Sequence, residues 1–311
     1  MRLLWMQAGA CGGDTLSLLC ADNPTLEQLI EEGLELLWHP SLSVAPPRYL
    51  EWLIDAITTG RTPLDILCVE GSLIAGPRNT GLWDSLRDRG KKDAIAELAE
   101  AATYVLAVGT CAAYGGIHAA PPNPADCVGM QFDKASPGGL LPAAWRSRSG
   151  FPVINLAGCP THPNTIARFL AFLLRGLPVT LDELQRPADF FSTTVHQGCS
   201  RNEYHEYDVE DTILGDRGCL FFNLGCQGPL TLATCNQELW NGRSSKTRVG
   251  VPCFGCTSPD FPRDTSLFLT EKIGHIPLRL PIGVQRANYM AYKDLAHEAT
   301  PARLIRREME P

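Results

Sequence analysis

The sequence lacks the features that mark nucleic-acid-binding and membrane-spanning proteins. It has no extended block of basic residues, and its 27 Lys and Arg against 34 Asp and Glu give a formal net charge of −7. A nucleic-acid partner is therefore excluded, because such proteins carry clustered basic side chains. The longest apolar stretch, residues 169–177, is interrupted by Arg175. A stretch this short does not span a bilayer.

The first residues also lack the pattern of an export signal, which needs a charged start, a long apolar run and a cleavage site. We expect a cytoplasmic protein, with peripheral membrane association as the alternative. Thiols stay reduced in the cytosol, so cysteines there indicate metal or redox chemistry more often than disulfides. The twelve cysteines of the chain are the feature to be explained.

Up to about residue 190, short apolar runs alternate with helical patterns. This alternation predicts an α/β fold with a parallel sheet covered by helices. The predicted strands are residues 3–7, 34–38, 65–70, 104–109 and 152–156. The predicted helices are residues 25–33, 47–59, 92–102 and 163–175.

The regular periodicity fades after residue 190, where Gly, Pro and Cys become frequent. Such a region buries little apolar surface, so metal–ligand bonds are expected to supply part of its folding free energy. We therefore predict three parts: a sheet domain at 1–190, a smaller irregular domain at 191–283, and a tail at 284–311. The tail is predicted to be helical up to Pro301 and to end in solvated arginines, namely Arg303, Arg306 and Arg307. Docking of another protein or of a membrane surface by this basic end is the alternative.

Nine cysteines and one histidine form three sets with the character of metal ligands. Ten such ligands are too many for one ion and suit several iron–sulfur clusters. Cys20, Cys68 and Cys127 fall outside the sets and are interpreted as plain thiols. The sets are Cys11, Cys111 and Cys159; His196, Cys199, Cys219 and Cys226; and Cys235, Cys253 and Cys256.

The first set lies where predicted strands end, and parallel strands place their carboxyl ends at one edge of a sheet. With Asp14, the three thiolates would complete a four-iron site. Three unrelated buried thiols are the alternative, because free cysteine is commonly buried. Glu70 ends another of these strands and is interpreted as a hydrogen-bonded structural carboxylate.

The second and third sets leave the metal open. One imidazole with three thiolates also fits structural zinc. In the third set, Cys253 and Cys256 form a CxxC pair, a spacing that zinc sites share. Because Cys235 brings that set to three thiolates with no fourth partner, a three-iron cluster is favoured. Trp240, between these ligands, is expected to be a packing residue.

Together these motifs resemble the small subunit of nickel–iron hydrogenases, from Cys11 to Cys256. The resemblance is to the soluble uptake type of cyanobacteria and actinobacteria. The segments that carry it are Leu37-Trp-His-Pro-Ser41, Val69-Glu-Gly-Ser72, Pro122-Asn-Pro124, Gly158-Cys-Pro-Thr-His-Pro163 and Ser244-Ser-Lys-Thr-Arg248.

The resemblance implies a flavodoxin-like first domain with a proximal cluster and a second domain with a medial and a distal cluster. The first set, with Asp14, would hold the proximal cluster, of three or four irons. The third set would hold a medial [3Fe–4S] cluster. The second set, with His196, would hold a distal cluster, again of three or four irons.

Two departures from the family bear on the proximal site. Asp14 stands where much of the family has a fourth cysteine, and an oxygen donor is harder than a thiolate. Gly13 and Gly116 stand where oxygen-tolerant membrane-bound relatives have two further cysteines. We favour Asp14 as a ligand, and any oxygen tolerance must have another source.

The function implied is electron transfer in an uptake hydrogenase, and no catalytic residue is expected in this chain. Hydrogen would be oxidised at a nickel–iron centre in a partner large subunit. Electrons would pass to menaquinone or a soluble carrier, within a higher oligomer of heterodimers. Two alternatives remain: the iron–sulfur subunit of a respiratory quinone reductase, and a zinc-stabilised binding module without redox activity.

Overall fold

The computed structural model describes residues 1–264 and 267–306, without the side chain of Pro47. The described chain divides into two compact units. The first comprises Met1–Asp189 with Thr257–Pro262, and the second comprises Phe190–Cys256 with the described residues from Arg263 onward. Residues 307–311 of the predicted tail, including Arg307, lie outside the described residues.

The first unit contains most of the regular structure. The described strands are β1 (Arg2–Gln7), β2 (Glu35–Trp38), β3 (Leu64–Glu70), β4 (Leu73–Ile74), β5 (Ser85–Leu86), β6 (Arg89–Gly90), β7 (Ala102–Val108), β8 (Cys127–Val128), β9 (Phe132–Asp133), β10 (Ser136–Pro137), β11 (Ile154–Leu156), β12 (Lys272–Ile273) and β13 (Ile276–Pro277). The described α-helices are α1 (Gly13–Leu19), α2 (Leu26–Glu31), α3 (Pro47–Thr58), α4 (Lys91–Ala101), α5 (Thr110–Tyr114), α6 (Pro163–Leu174), α7 (Ala188–Phe191), α8 (Asn202–Glu206), α9 (Arg286–Glu298) and α10 (Ala302–Ile305). Two 3₁₀ turns span Val195–Gly198 and Gly228–Leu230.

Five parallel strands form the central sheet, in the order β11-β7-β3-β1-β2. This is the flavodoxin-like order, and the direction of chain progression reverses between β1 and β3. Ligands of such sheets bind outside the carboxyl ends of the strands at that reversal. Gln7 and Glu70 pair there as the last residues of the two strands. The predicted parallel α/β fold is thus confirmed.

The predicted elements follow from their hydrophobic patterns. Strand β3 is buried along almost its whole length, as its nearly continuous apolar run predicts for a strand covered on both faces. Helix α6 begins with Pro163 in its first turn, a position that tolerates the missing N–H. The nine predicted elements are all present, with ends within two residues of those predicted. Helices α1 and α5 were not predicted, because they are short and flanked by glycine.

Gly71 fixes the close approach of the loops that follow β1 and β3. Its φ is +91°, and a Cβ there would lie 2.6 Å from the carbonyl carbon of Gly9. Gly9 and Ser72 form an antiparallel bridge across the same contact. The bridge holds the start of the loop that leads to Cys11.

The second unit has little regular structure and a small core. The core includes three of the predicted metal ligands, Cys219, Cys226 and Cys253, together with Phe221 and Leu304. Helix α9 has no buried residue. Among the described helices, none has the length and apolar character needed to cross a bilayer.

The tail differs in one respect from the sequence prediction. Arg303 stays partly exposed but is paired: its Nη1 donates to Oε2 of Glu203 at 2.8 Å, and Nη2 pairs with the other carboxylate oxygen. Leu304 beside it is only 1% exposed. Residues 302–305 form a short helix after Pro301, and the burial of Leu304 anchors it to the second unit.

We expect Gly71→Ala to destabilise the first unit more than Gly60→Ala. Gly60 also has positive φ, +76°, but no atom lies within 4 Å of a Cβ there. The left-handed conformation alone costs an alanine about 1–2 kcal/mol, so Gly60→Ala should lower the midpoint of thermal unfolding by only a few degrees. Gly71→Ala adds a backbone clash and should lower it further. Equal shifts in the two variants would contradict the close approach.

Candidate metal centres

Cys111 and Cys159 are brought together by paired hydrogen bonds between their loops. The N–H of Thr110 donates to the Gly158 carbonyl at 2.7 Å, and the N–H of Gly158 donates to Thr110 Oγ1 at 2.9 Å. Thr110 starts helix α5 directly after strand β7, and Gly158 follows strand β11. The loops that carry Cys111 and Cys159 therefore lie side by side at the carboxyl edge of the sheet.

Cys11 and Cys111 have glycines against their sulfur atoms. A Cβ at Gly13 would lie 3.1 Å from Cys11 Sγ, and a Cβ at Gly116 would lie 2.6 Å from Cys111 Sγ. The glycine positions singled out from the sequence thus adjoin the predicted ligands. The Gly13 position also lies 3.6 Å from Pro160, which follows Cys159. The three thiols of the first set consequently share one region.

Asp14 is buried within the same region. It is 7% exposed, and its Oδ1 accepts the N–H of Thr161 at 2.7 Å. Burial raises the pKa of Asp14 to about 7, and the Thr161 hydrogen bond opposes that rise. Burial also raises the pKa of the Cys111 thiol, with smaller contributions from the charges of Asp14 and Cys11. A carboxylate in this position is destabilised as an anion, and a bound cation would favour its ionised form.

Glu70 is a hydrogen-bonded buried carboxylate in the structure, as interpreted from the sequence. It is 1% exposed. Its Oε1 accepts the backbone N–H groups of Asp14 and Thr15 at 3.1 and 3.3 Å. Its Oε2 accepts the indole N–H of Trp5 and the amide of Gln7, each at 3.0 Å. Glu70 therefore caps the start of helix α1 and fixes the Cys11–Asp14 segment against the sheet.

The four residues of the second set line one cavity of the second unit, beside the apolar side chains of Leu220, Phe221 and Pro229. Burial raises the pKa of the Cys226 thiol to about 11. Without a cation this thiol stays protonated at neutral pH. The cavity is lined by His196, Cys199, Cys219 and Cys226.

Backbone amides point at the sulfur atoms of this set. Such N–H···S contacts stabilise thiolates and tune the metal they bind. The donor usually lies two residues after the cysteine, as in metal-binding loops. The contacts are Arg201 N to Cys199 Sγ at 3.4 Å, Phe221 N to Cys219 Sγ at 3.4 Å, Gly228 N to Cys226 Sγ at 3.5 Å, and Cys253 N to Cys226 Sγ at 3.3 Å.

His205 and Glu210 belong to this site but were missed in the sequence, where neither lies in a recognisable ligand spacing. His205 Nδ1 lies 3.4 Å from Cys219 Sγ. The His205 ring packs edge-on against the His196 ring, with 4.5 Å between the two ring centroids. Burial lowers the pKa of His205 to about 4 and raises that of Glu210 to about 8. Both side chains are therefore neutral at pH 7 and surround Cys219 without adding charge.

The third set is brought together as well. Burial raises the pKa of Cys235 to about 11, and the charge of Cys256 adds to the rise. The Cys253 pKa is raised by burial first, then by the charge of Cys226 from the second set, and then by the charges of Cys256 and Cys235. Trp240 is more than the packing residue expected, because its side chain hydrogen-bonds Cys235 and favours the thiolate. Lys246 has the same effect through its charge.

The spacing of the ligand atoms bears on the choice of metal. Within the described part of the chain, the one group of His, Cys, Asp or Glu whose ligand atoms all lie within 4.8 Å of one another is His205, Glu210 and Cys219. The predicted cysteine sets are spaced more widely. A tetrahedral zinc ion brings its thiolates to roughly 3.8 Å from one another, given Zn–S bonds of about 2.3 Å. None of the three cysteine sets therefore has its ligand atoms as closely grouped as a preformed tetrahedral zinc site would.

The cysteines outside the three sets are separate from these sites. Cys68 lies inside strand β3 and is buried, and burial raises its pKa. Cys127 lies in strand β8 and is also buried, whereas Cys20 ends helix α1 and is exposed. Their interpretation as plain thiols stays a prediction.

Family models match both parts of the chain. Residues 191–269 match the C-terminal family of NiFe/NiFeSe hydrogenase small subunits. Residues 11–173 match the family of the NADH ubiquinone oxidoreductase 20 kDa subunit. The second match covers the sheet region alone, which explains why the sequence also suggested a quinone reductase.

Individual proteins match over most of the chain. The F420 non-reducing hydrogenase II small subunit of Methanosarcina mazei is 32% identical, over 84% of this chain and 73% of that protein. The Hydrogenase-2 small chain of Escherichia coli is 31% identical, over 82% of this chain and 66% of that protein. Among solved structures, an actinobacterial-type NiFe-hydrogenase from Ralstonia eutropha H16 matches with a TM-score of 0.81 and 28% identity, over 100% of this chain and 92% of that one.

Iron removal should unfold the second unit before the first. Three buried thiols form part of the second unit's core, and metal binding that keeps them ionised is also folding free energy. After anaerobic chelation under mild oxidation, we expect limited proteolysis to cut within residues 190–256 while a fragment containing the sheet persists. A Cys20→Ser variant, changed at an exposed cysteine, should behave as the unaltered chain does. Equal protease resistance with and without iron would contradict the prediction.

Proposed function

The chain belongs to the family of nickel–iron hydrogenase small subunits, and we propose that it relays electrons through three iron–sulfur clusters. It is the electron-transfer subunit of a heteromeric hydrogenase. Its partner is the large subunit that carries the nickel–iron site. A zinc-stabilised module without redox activity does not agree with this family.

The observation that carries the three-cluster proposal is the grouping of eleven donors into three sets, of which the second and third adjoin each other where the Cys253 N–H donates to Cys226 Sγ at 3.3 Å. Asp14 lies with the three thiols of the first set at the sheet edge. The four donors of the second set line the cavity of the second unit. In the third set, Cys235 and Cys256 lie near Cys253. We propose a proximal cluster on the first set, with Asp14 as a ligand, and a medial [3Fe–4S] cluster on the third. The second set, with His196, holds the distal cluster. When bound, such clusters supply one-electron carriers whose potentials depend on hydrogen bonds to sulfur and on burial.

The residues of this chain tune the reduction potentials of the clusters. The amides of Arg201, Phe221 and Gly228 stabilise thiolates of the distal set, and apolar side chains keep water away from them. Trp240 and Lys246 favour the Cys235 thiolate, which should raise the potential of the medial site. The chain needs no acid, base or nucleophile for this function.

We propose menaquinone or a soluble carrier as the acceptor, and a higher oligomer of heterodimers as the assembly. The cytoplasm is the proposed compartment, with peripheral membrane association as the alternative. The support is chemical: Cys20, Cys68 and Cys127, which the proposal leaves without a metal, form no disulfide, as suits a reducing compartment.

The complex with its large subunit should reduce an uncharged benzoquinone with hydrogen as the only donor. We expect three electron-paramagnetic signals from clusters in redox titrations of the anaerobic complex. Cys253→Ser with Cys256→Ser should remove the medial signal and abolish hydrogen-driven reduction, because two of its three thiolates are lost. Cys20→Ser is the control and should change neither. Protein that contains zinc but no iron or labile sulfide would refute the proposal.

Asp14→Cys and Asp14→Asn should differ in their iron content. A thiolate can replace the carboxylate as a ligand, so Asp14→Cys should keep its iron and lower the proximal potential. An amide is a far weaker ligand, so Asp14→Asn should lose about one iron per chain if Asp14 holds a fourth iron. Anaerobic iron and sulfide analysis with Mössbauer spectroscopy would measure this. An unchanged iron count and spectrum in Asp14→Asn would contradict ligation by Asp14.

A further inference from the structure

A basic groove of about 540 Å³ opens on the second unit beside the distal ligand set. We call it the arginine groove. Its charged residues are Arg201, Arg217, Arg243, Arg248, Arg303 and Glu203. Among the described residues of its lining, five arginines against one glutamate give a formal excess of four positive charges. The whole chain, in contrast, has a net charge of −7, so the groove is a local reversal of sign.

The arginines are held on a rigid base. The buried Arg201 guanidinium donates to the carbonyl of Thr247 at 2.7 Å and to that of Gly218 at 2.6 Å. Arg243 and Arg248 lie on a loop that Asn236 fastens. Asn236 Oδ1 accepts from Thr247 Oγ1 at 3.0 Å, and its amide donates to the Val195 carbonyl at 2.8 Å. A preorganised surface loses little conformational entropy when a partner binds.

The groove already binds one carboxylate. Glu203 forms a two-point pair with the Arg303 guanidinium, the geometry in which arginine recognises carboxylates most strongly. The pair neutralises Glu203, the one acidic residue among the described residues of the lining. Arg217, Arg243 and Arg248 are exposed along the same groove. Arg243 and Arg248 present guanidinium groups suited to further carboxylates.

The groove adjoins the distal ligands through one residue. Ser200 and Arg201 follow Cys199 directly, and the Arg201 N–H donates to Cys199 Sγ at 3.4 Å. Arg201 lines both the groove and the cavity of the distal set. A redox centre bound in the groove would therefore be separated from the distal ligands by little more than this backbone. The position suits the exit of electrons.

We propose that the arginine groove docks an acidic electron-carrier protein, whose carboxylates pair with Arg243 and Arg248. The proposal rests on the proposed function and identifies its acceptor as a soluble one-electron carrier, of the iron–sulfur or flavin type. One electron leaves the reduced small subunit and reduces the oxidised carrier. No covalent bond forms or breaks. The open form of the groove and its four excess charges fit a protein surface, and electrostatic attraction would accelerate association.

The test uses the complete complex with its large subunit and an acidic [2Fe–2S] ferredoxin as the probe. Hydrogen-driven ferredoxin reduction is measured over a range of NaCl concentrations, beside reduction of an uncharged benzoquinone. For the unaltered complex, kcat/KM for ferredoxin should fall steeply with salt. Arg243→Glu with Arg248→Glu should lower it at least about 10-fold at low salt and flatten the salt dependence. Benzoquinone reduction should not change.

Two further variants make the result specific. Arg48→Glu with Arg286→Glu introduces the same change in net charge at exposed arginines that do not line the groove, and should keep most of the ferredoxin rate. Arg217→Glu is a second probe from another segment of the groove, in case the double variant fails to incorporate iron. It should lower the ferredoxin rate in the same direction.

The outcomes separate the two proposals. Failure of the unaltered complex to reduce benzoquinone with hydrogen would refute the proposed function. Normal benzoquinone reduction, with a ferredoxin rate that neither salt nor the groove variants alter, would overturn the docking site alone. Groove-dependent binding of phosphatidylglycerol vesicles, without groove-dependent ferredoxin reduction, would also overturn it and would identify a membrane surface as the partner.

Discussion

The burial of ionisable thiols is the constraint on which the second half of this molecule depends. A thiolate in an apolar environment is strongly disfavoured, and the raised pKa values of Cys219, Cys226 and Cys253 express that cost. A bound cation removes this cost, because it stabilises the thiolate form. The same cysteines form part of the small core of the second unit, so metal binding and folding of this unit are coupled. Amide groups directed at sulfur complete the arrangement.

The stability of the first unit does not depend on metal ligands in this way. Its parallel sheet is stable through ordinary apolar packing, so its metal site is an addition at one edge. The reversal of strand order between β1 and β3 leaves a gap at the carboxyl ends, and Glu70 fills it with hydrogen bonds to the start of α1. A buried carboxylate with so many donors is a positioning group. Its value lies in fixing Cys11 and Asp14 relative to the loops of Cys111 and Cys159.

The two units also differ in how much their sequences reveal. Hydrophobic periodicity was sufficient for the five sheet strands and for helices α2, α3, α4 and α6 of the first unit, since an element buried on one or both faces must repeat its apolar residues regularly. The short helices α1 and α5 escaped, because a helix of five to seven residues that starts beside glycine carries almost no periodic signal. In the second unit only the tail helix, now α9, was predicted in this way, and cysteine spacing was the main information for the rest.

The sequence by itself determined the fold class, the family and the identity of the candidate ligands, because periodicity and cysteine spacing are local properties of the chain. Only the tertiary structure revealed that His205 and Glu210 surround Cys219, that Trp240 hydrogen-bonds Cys235, and that arginines from separate segments line one groove. It also moved Arg303 from a solvated helix end into a pair with Glu203. These relations join residues that are distant in sequence or lie in no recognisable spacing. Proximity of that kind arises only when the chain folds, since no local pattern encodes which distant side chains will share a surface.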